Sequence, residues 1–225
     1  MASCILRMSL GLIVAGLLLA GCGTDEPAAE RESGTATSTT EGITTSSNSP
    51  KSSPDGDTPI TASGIGGLEA GMTLADAREV LTTELVLTGF EDFEGYCWLG
   101  EVKGLEEEFS LLFLSPTRDK PVDNPDDGVL GRVSVFADSN DSAAQTDKGV
   151  GIGSTKAEVE AAYPGEVKAT GHRYVEGGEY LDIGPAEDSS DPDGRLLRFE
   201  TDEKGRVTAV HAGLPDAVRL VEACA

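Results

Sequence analysis

Apolar and polar positions divide this chain into three stretches of different character. Residues 10–19 form a short, unbroken apolar run behind Arg7, and residues 24–59 carry almost no large apolar side chain. From about residue 60 onward the pattern takes on the periods of regular structure. Leu74, Ala77, Leu81 and Leu85 recur at helical spacing and predict one amphipathic helix. Val159, Ala162 and Tyr163 predict a second, shorter one, ended by Pro164 and Gly165. Thr73 and Thr155 stand at the two N-cap positions. Asp76 and Glu158, three residues on, supply the carboxylates of a capping box.

The remaining apolar runs read as strands. In the first half these are Tyr96-Cys97-Trp98-Leu99, residues 109–114, and Gly131-Arg132-Val133-Ser134-Val135. In the second they are His172-Arg173-Tyr174-Val175, residues 179–183, residues 196–199, and Val207-Thr208-Ala209-Val210. Residues 109–114 are apolar on both faces, as a central strand would be, whereas 196–199 alternates. Asp202-Glu203-Lys204-Gly205 predicts a tight turn, so the last two strands should form a hairpin.

These elements repeat. Gly71-Met72-Thr73 and Gly153-Ser154-Thr155 both open a helix, and Gly131-Arg132-Val133 is echoed by Gly205-Arg206-Val207. The expected fold class is α+β, built from two divergent helix-plus-antiparallel-meander repeats sharing one core. Residues 60–148 form the first repeat and residues 149–225 the second. A capped helix followed by an antiparallel meander, present twice, resembles the superfamily of the β-lactamase inhibitory protein and the BamE-like outer-membrane assembly lipoproteins. The run Gly151-Ile152-Gly153-Ser154-Thr155-Lys156-Ala157-Glu158-Val159 and the closing Val221-Glu222-Ala223-Cys224 resemble secreted or lipid-anchored relatives of Gram-positive type. The resemblance covers about residues 65–224. It implies a tandem with a curved sheet face available to bind proteins, and it transfers no functional residue.

Leu19-Ala20-Gly21-Cys22 closes the N-terminal apolar run and resembles a bacterial lipobox. With Arg7 ahead of the run, residues 1–21 read as a lipoprotein signal peptide. The run is about half the roughly 20 apolar residues a membrane span needs. An ordinary cleaved signal and an anchor helix are the alternatives. The lipobox resemblance implies cleavage before Cys22 and lipidation of its thiol, placing the protein on the outer face of the cell membrane. Residues 22–59 then form the lipidated cysteine and a disordered linker rich in Ser, Thr and Pro. Such a coil would reach roughly 30–40 Å. O-glycosylation of the linker is an alternative to a plain solvated spacer.

Only Cys97 and Cys224 remain for the folded part, and a pair of cysteines in an exported domain predicts a disulfide. Two thiols this far apart, with no Cys-x-x-Cys, make no tetrahedral metal set. The formal net charge of −23 opposes binding to nucleic acid and to anionic lipid headgroups. It suits either a basic partner or simple solubility.

No catalytic motif is present. There is no Gly-x-Ser-x-Gly elbow, no Ser-x-x-Lys and no His-Glu-x-x-His, and His172 and His211 are the only histidines. His211 reads as a packed or edge residue. Gly149-x-Gly151-x-Gly153 lacks the βαβ context of a phosphate loop and reads as close backbone packing. Acidic clusters at residues 123–127, 138–141 and 188–193 lack the spacing of a calcium loop and read as turns. The expectation is therefore a non-enzymatic domain with no metal and no cofactor. It would recognise an envelope or secreted protein through its sheet face, with Tyr96, Trp98, Tyr174 and Tyr180 as candidate contacts. For Trp98, a place in the core is the alternative. Inhibition of a secreted hydrolase is one rival function. A ligand-binding or weakly catalytic domain, built where His172 or His211 meets converging carboxylates, is the other.

Overall fold

A computed structural model describes residues 58–117, 119–136, 144–186 and 194–224. The signal segment 1–21, Cys22, nearly all of the linker, and the acidic clusters at 138–141 and 188–193 lie outside the described residues. The elements in chain order are β1 (Ile60–Thr61), β2 (Gly64–Ile65), β3 (Leu68–Glu69), α1 (Leu74–Val80), β4 (Leu85–Thr88), β5 (Cys97–Val102), β6 (Phe109–Leu114) and β7 (Val129–Phe136). There follow α2 (Lys156–Ala162), β8 (Lys168–Gly171), β9 (Glu179–Ile183), β10 (Leu196–Thr201), β11 (Val207–Gly213) and α3 (Pro215–Val218).

The fold is α+β. β1–β3 make a small antiparallel sheet, and the other strands make an eight-stranded antiparallel sheet in the order β4-β5-β6-β7-β11-β10-β9-β8. Two four-strand meanders thus meet where β7 pairs β11. β10 and β11 form the hairpin that residues 202–205 predict. Both α1 and α2 start in complete capping boxes. Thr73 and Thr155 accept from the N3 backbone, and the Asp76 and Glu158 side chains reach back to the cap residue.

One face of the large sheet carries the principal core. Trp98, Val102, Phe109, Leu111, Phe113, Leu130, Val133, Val135, Leu181, Leu197, Phe199 and Val210 point into it. Leu74, Ala77 and Leu81 from α1, Val159 and Tyr163 from α2, and Ile60, Ile65 and Leu68 from the small sheet close it from above. Burying an aliphatic or aromatic side chain of this kind stabilises by about 1.5–3 kcal/mol.

Three local expectations are corrected. α1 stops at Val80, and Leu85 opens β4, where it still faces the core. The β-branched Thr82 and Thr83 disfavour helix, and an apolar residue four places on suits a strand after a turn equally well. Residues 172–175 form a turn, because the His172 side chain takes backbone N–H groups that a ladder would need. Leu196 through Phe199 are all buried, because the second face of the sheet is also covered. Gly151 packs its Cα against residue 144: a Cβ there would lie 2.5 Å from the Ala144 carbonyl oxygen. Residues 123–127 hold a short 3-10 turn, Pro125–Asp127, capped by Asn124.

Candidate functional site

The second face of the sheet is organised by register. Ser110 on β6 lies opposite Ser134 on β7, which lies opposite His211 on β11. His211 lies opposite Arg198 on β10, Arg198 opposite Asp182 on β9, and Asp182 opposite Lys168 on β8. Six strands thus contribute one polar side chain each to a straight row. Beside it stand Glu200, Tyr180 and His172.

Within the row, Arg198 donates from Nε to Asp182 Oδ1 at 2.7 Å and from Nη2 to Oδ2 at 2.9 Å. The Arg198 guanidinium also lies 4.5 Å from the Tyr180 ring centroid, and His172 stacks on the same ring at 4.5 Å. The two histidines converge on Glu200. His172 Nδ1 accepts from the N–H groups of Tyr174 and Val175, both at 3.1 Å, so its proton sits on Nε2 and points at Glu200 Oε2, 3.2 Å away. His211 Nε2 lies 3.2 Å from Glu200 Oε1, in ion-pair range but off the line of a good hydrogen bond. Its Nδ1 meets Ser134 Oγ at 2.9 Å. A carboxylate only accepts, so the His211 proton is on Nε2 and the Ser134 hydroxyl donates to Nδ1.

Burial pushes the Glu200 carboxyl up, but His211 and then His172 more than offset this and hold it down at about 2. Burial pushes the His211 imidazole down, against the opposing pull of Glu200. At neutral pH the pair is therefore a carboxylate beside a neutral imidazole. Burial also lowers Arg132, to about 10, which leaves it protonated.

Ser134, His211 and Glu200 are the residue types of a hydroxyl–imidazole–carboxylate relay, but their placement is structural. Ser134 is 2% exposed in the middle of a strand paired on both sides, so no substrate carbonyl can approach its Oγ. Among the described residues no group of three His, Cys, Asp or Glu is arranged to hold a metal ion.

The C-terminal segment straps this face. Gly131 lets α3 dock, because a Cβ there would lie 2.9 Å from Ala217 Cβ. Arg132 Nη1 donates to the carbonyls of Ala217 at 3.2 Å and Leu220 at 2.7 Å. Arg219 Nη2 donates to the Pro185 carbonyl at 2.7 Å. The Tyr174 hydroxyl donates to Glu222, and Cys224 is disulfide-bonded to Cys97 with a Cα–Cα separation of 5.6 Å.

The four aromatic candidates therefore separate. Tyr96 and Tyr174 are exposed, at 38% and 61%. Trp98 and Tyr180 are buried, and their reading as surface contacts is corrected. Trp98 points into the principal core, with its ring centroid 5.0 Å from that of Phe90 and 6.2 Å from that of Phe113. Gly128 lies so close that a Cβ there would stand 2.0 Å from the indole. Tyr180 is on the second face, but His172 and Arg198 cover it. Sequence reasoning missed Glu200, Arg198 and Asp182. Their signal was polar residues at alternate positions in strands 179–183 and 196–201.

Comparison with protein families, with characterised proteins and with solved structures finds no match to this chain.

The sign of the acid response follows from the Glu200–His211 pair. In the unfolded chain His211 takes up a proton below about pH 6.5, while the folded, depressed imidazole does not. Stability is therefore lost as pH falls through that value. The Glu200 carboxylate, ordinarily near 4.5, contributes fully above that pH, and its share is lost as pH falls towards about 2. That share is on the order of 3 kcal/mol. Urea midpoints measured from pH 8 to pH 3 should fall in both windows. His211→Asn should flatten both, because His211 is the chief group holding the Glu200 carboxyl down, and Glu200→Gln should flatten the second. A wild-type midpoint constant from pH 7 to pH 4 rejects this account.

Proposed function

We propose that this chain is an exported, lipid-tethered module of the cell envelope. It recognises another protein and carries out no catalysis. Its halves are read as diverged copies of one helix-plus-meander unit, of the kind found in the inhibitory-protein and BamE-like superfamily. The shared helix-capping pattern and the meeting of two four-strand meanders at β7 and β11 support that descent. The signal pattern and Cys22 support the tether, and the acidic surface argues against nucleic acid as partner.

One observation carries the recognition reading. The large apolar side chains left in solvent include Tyr174, Leu220 and Val221, all on or against the C-terminal strap, and Tyr96, next to the cysteine that anchors it. Exposed aromatic and aliphatic groups of this kind are favoured at protein contacts. The rest of the expected sheet face is taken up by the strap and the polar row. The contact surface is therefore assigned to the strap and its margins, with Tyr96 and Tyr174 retained.

The test places a photo-crosslinking amino acid at Tyr174 of the full-length chain and irradiates intact cells. A discrete adduct, absent from an unrelated protein on the same tether and weakened several-fold by Leu220→Ser with Val221→Ser, is expected. An adduct pattern identical to that control removes the recognition reading.

A further inference from the structure

Resting on that recognition reading, we infer that the surface joined by the Cys97–Cys224 bond docks a protein whose face carries lysines and arginines around an apolar spot. The disulfide brings together two segments that are remote in sequence. From one come Phe93 and Tyr96, 39% and 38% exposed. From the other come Leu220 and Val221, 39% and 40% exposed and within four residues of Cys224. Each is a large apolar group left in water, and the covalent bond ties together the two segments that carry them, with the Cα atoms of Cys97 and Cys224 5.6 Å apart.

The charge around them is mostly negative; Arg219, which precedes Leu220, is turned to the Pro185 carbonyl and Asp182. Residues 89–97 contain Glu91, Asp92 and Glu94, residues 220–224 contain Glu222, and neither stretch contains lysine or arginine. The adjoining loop contributes the described Lys120, next to Asp119. Such a surface repels a second copy of this chain, which carries the same acids, and it repels anionic headgroups. It attracts a basic face, and the attraction raises the association rate at low salt.

The turn is held ready for contact. The Tyr96 N–H donates to the Phe93 carbonyl at 2.9 Å, and the Gly95 N–H to that of Phe90 at 3.0 Å. The Ser115 and Val122 N–H groups donate to the carbonyls of Tyr96 and Gly95, at 2.9 and 3.1 Å. Phe90 anchors the turn edge-on to Trp98. Little ordering cost is then left for binding.

The experiment uses the disulfide-bonded protein and a labelled peptide of alternating lysine and leucine, with its glutamate–leucine counterpart as control. Titrations run at low and at physiological salt. The lysine peptide should bind and the glutamate peptide should not. Reversing Glu91, Asp92 and Glu94 to lysine should weaken binding at least tenfold, as should Phe93→Ser with Tyr96→Ser. A control reversal of Glu160, Glu166 and Glu203, remote in sequence from both segments, should change it less than twofold. Equal weakening by both reversals overturns the proposal, since attraction would then be diffuse. So does indifference to the aromatic pair, or failure of the lysine peptide to bind. A crosslinked partner on cells that contacts Tyr174 but is insensitive to the charge reversal at residues 91–94 would sink this inference alone and leave recognition standing.

Discussion

Replacing Cys97 and Cys224 with serine should lower the stability of the folded region by about 5 kcal/mol. That is the chain-entropy value for closing a loop of this length. The bond joins residues 127 apart, so the oxidised unfolded chain is confined far more than the reduced one. A region of this size would lose on the order of 10–20 °C in melting temperature. The bond also holds the strap's end against Leu99, Leu112 and Leu114, the small apolar cluster on the second face. Without it, the last residues are kept down by the Arg132 and Arg219 hydrogen bonds, the Arg219–Asp182 contact and the Tyr174–Glu222 contact. Hydrogen exchange should therefore rise first in residues 219–224, ahead of any global change. Thermal unfolding with and without a dithiol reductant checks both parts. Equal melting temperatures, with unchanged protection at the C-terminus, would show that the non-covalent contacts suffice.

Local sequence signals were legible wherever one residue type has one strong use. Thr73 and Thr155, with their acids three residues on, announced both helix starts, and the 202–205 turn announced its hairpin. Two cysteines left to the folded region announced their bond. What could not be read was set by tertiary context. Leu85 continues a helical spacing, yet it belongs to a strand, because the preceding threonines end the helix and both conformations leave it facing the core. His172 looks like a strand residue until its ring is seen to collect two backbone N–H groups. Tyr96 and Trp98 alternate as same-face neighbours, but only Trp98 lies within the paired strand, above Gly128. The polar row was the largest omission. It draws one side chain from each of six strands scattered over more than a hundred residues, and only the strand order brings them into line.

That row contains the costliest single replacement after the disulfide. Arg198→Met should destabilise the protein by about 3–5 kcal/mol, the usual cost of stripping a buried ion pair of one partner. The Arg198 and Asp182 side chains are only 6% and 12% exposed, so a lone Asp182 carboxylate could not turn to water. Its nearest remaining cationic contact would be Arg219 Nε, at 3.7 Å. The contact of the guanidinium with the Tyr180 ring would go as well. The double variant Arg198→Met with Asp182→Leu should recover most of the loss, because neither charge is then buried alone and the replacements fill similar volumes. Urea unfolding of the wild type, the two single variants and the double variant closes the cycle. A single-variant loss below about 1 kcal/mol would mean that the pair behaves like an exposed one. Recovery in the double variant would imply that the row specifies register more than it stabilises. A one-residue slip of β10 would carry Arg198 and Glu200 into the apolar layer and bring Leu197 and Phe199 out beside His211. The paired charges make that slip prohibitive, and the apolar double variant would lift part of the penalty.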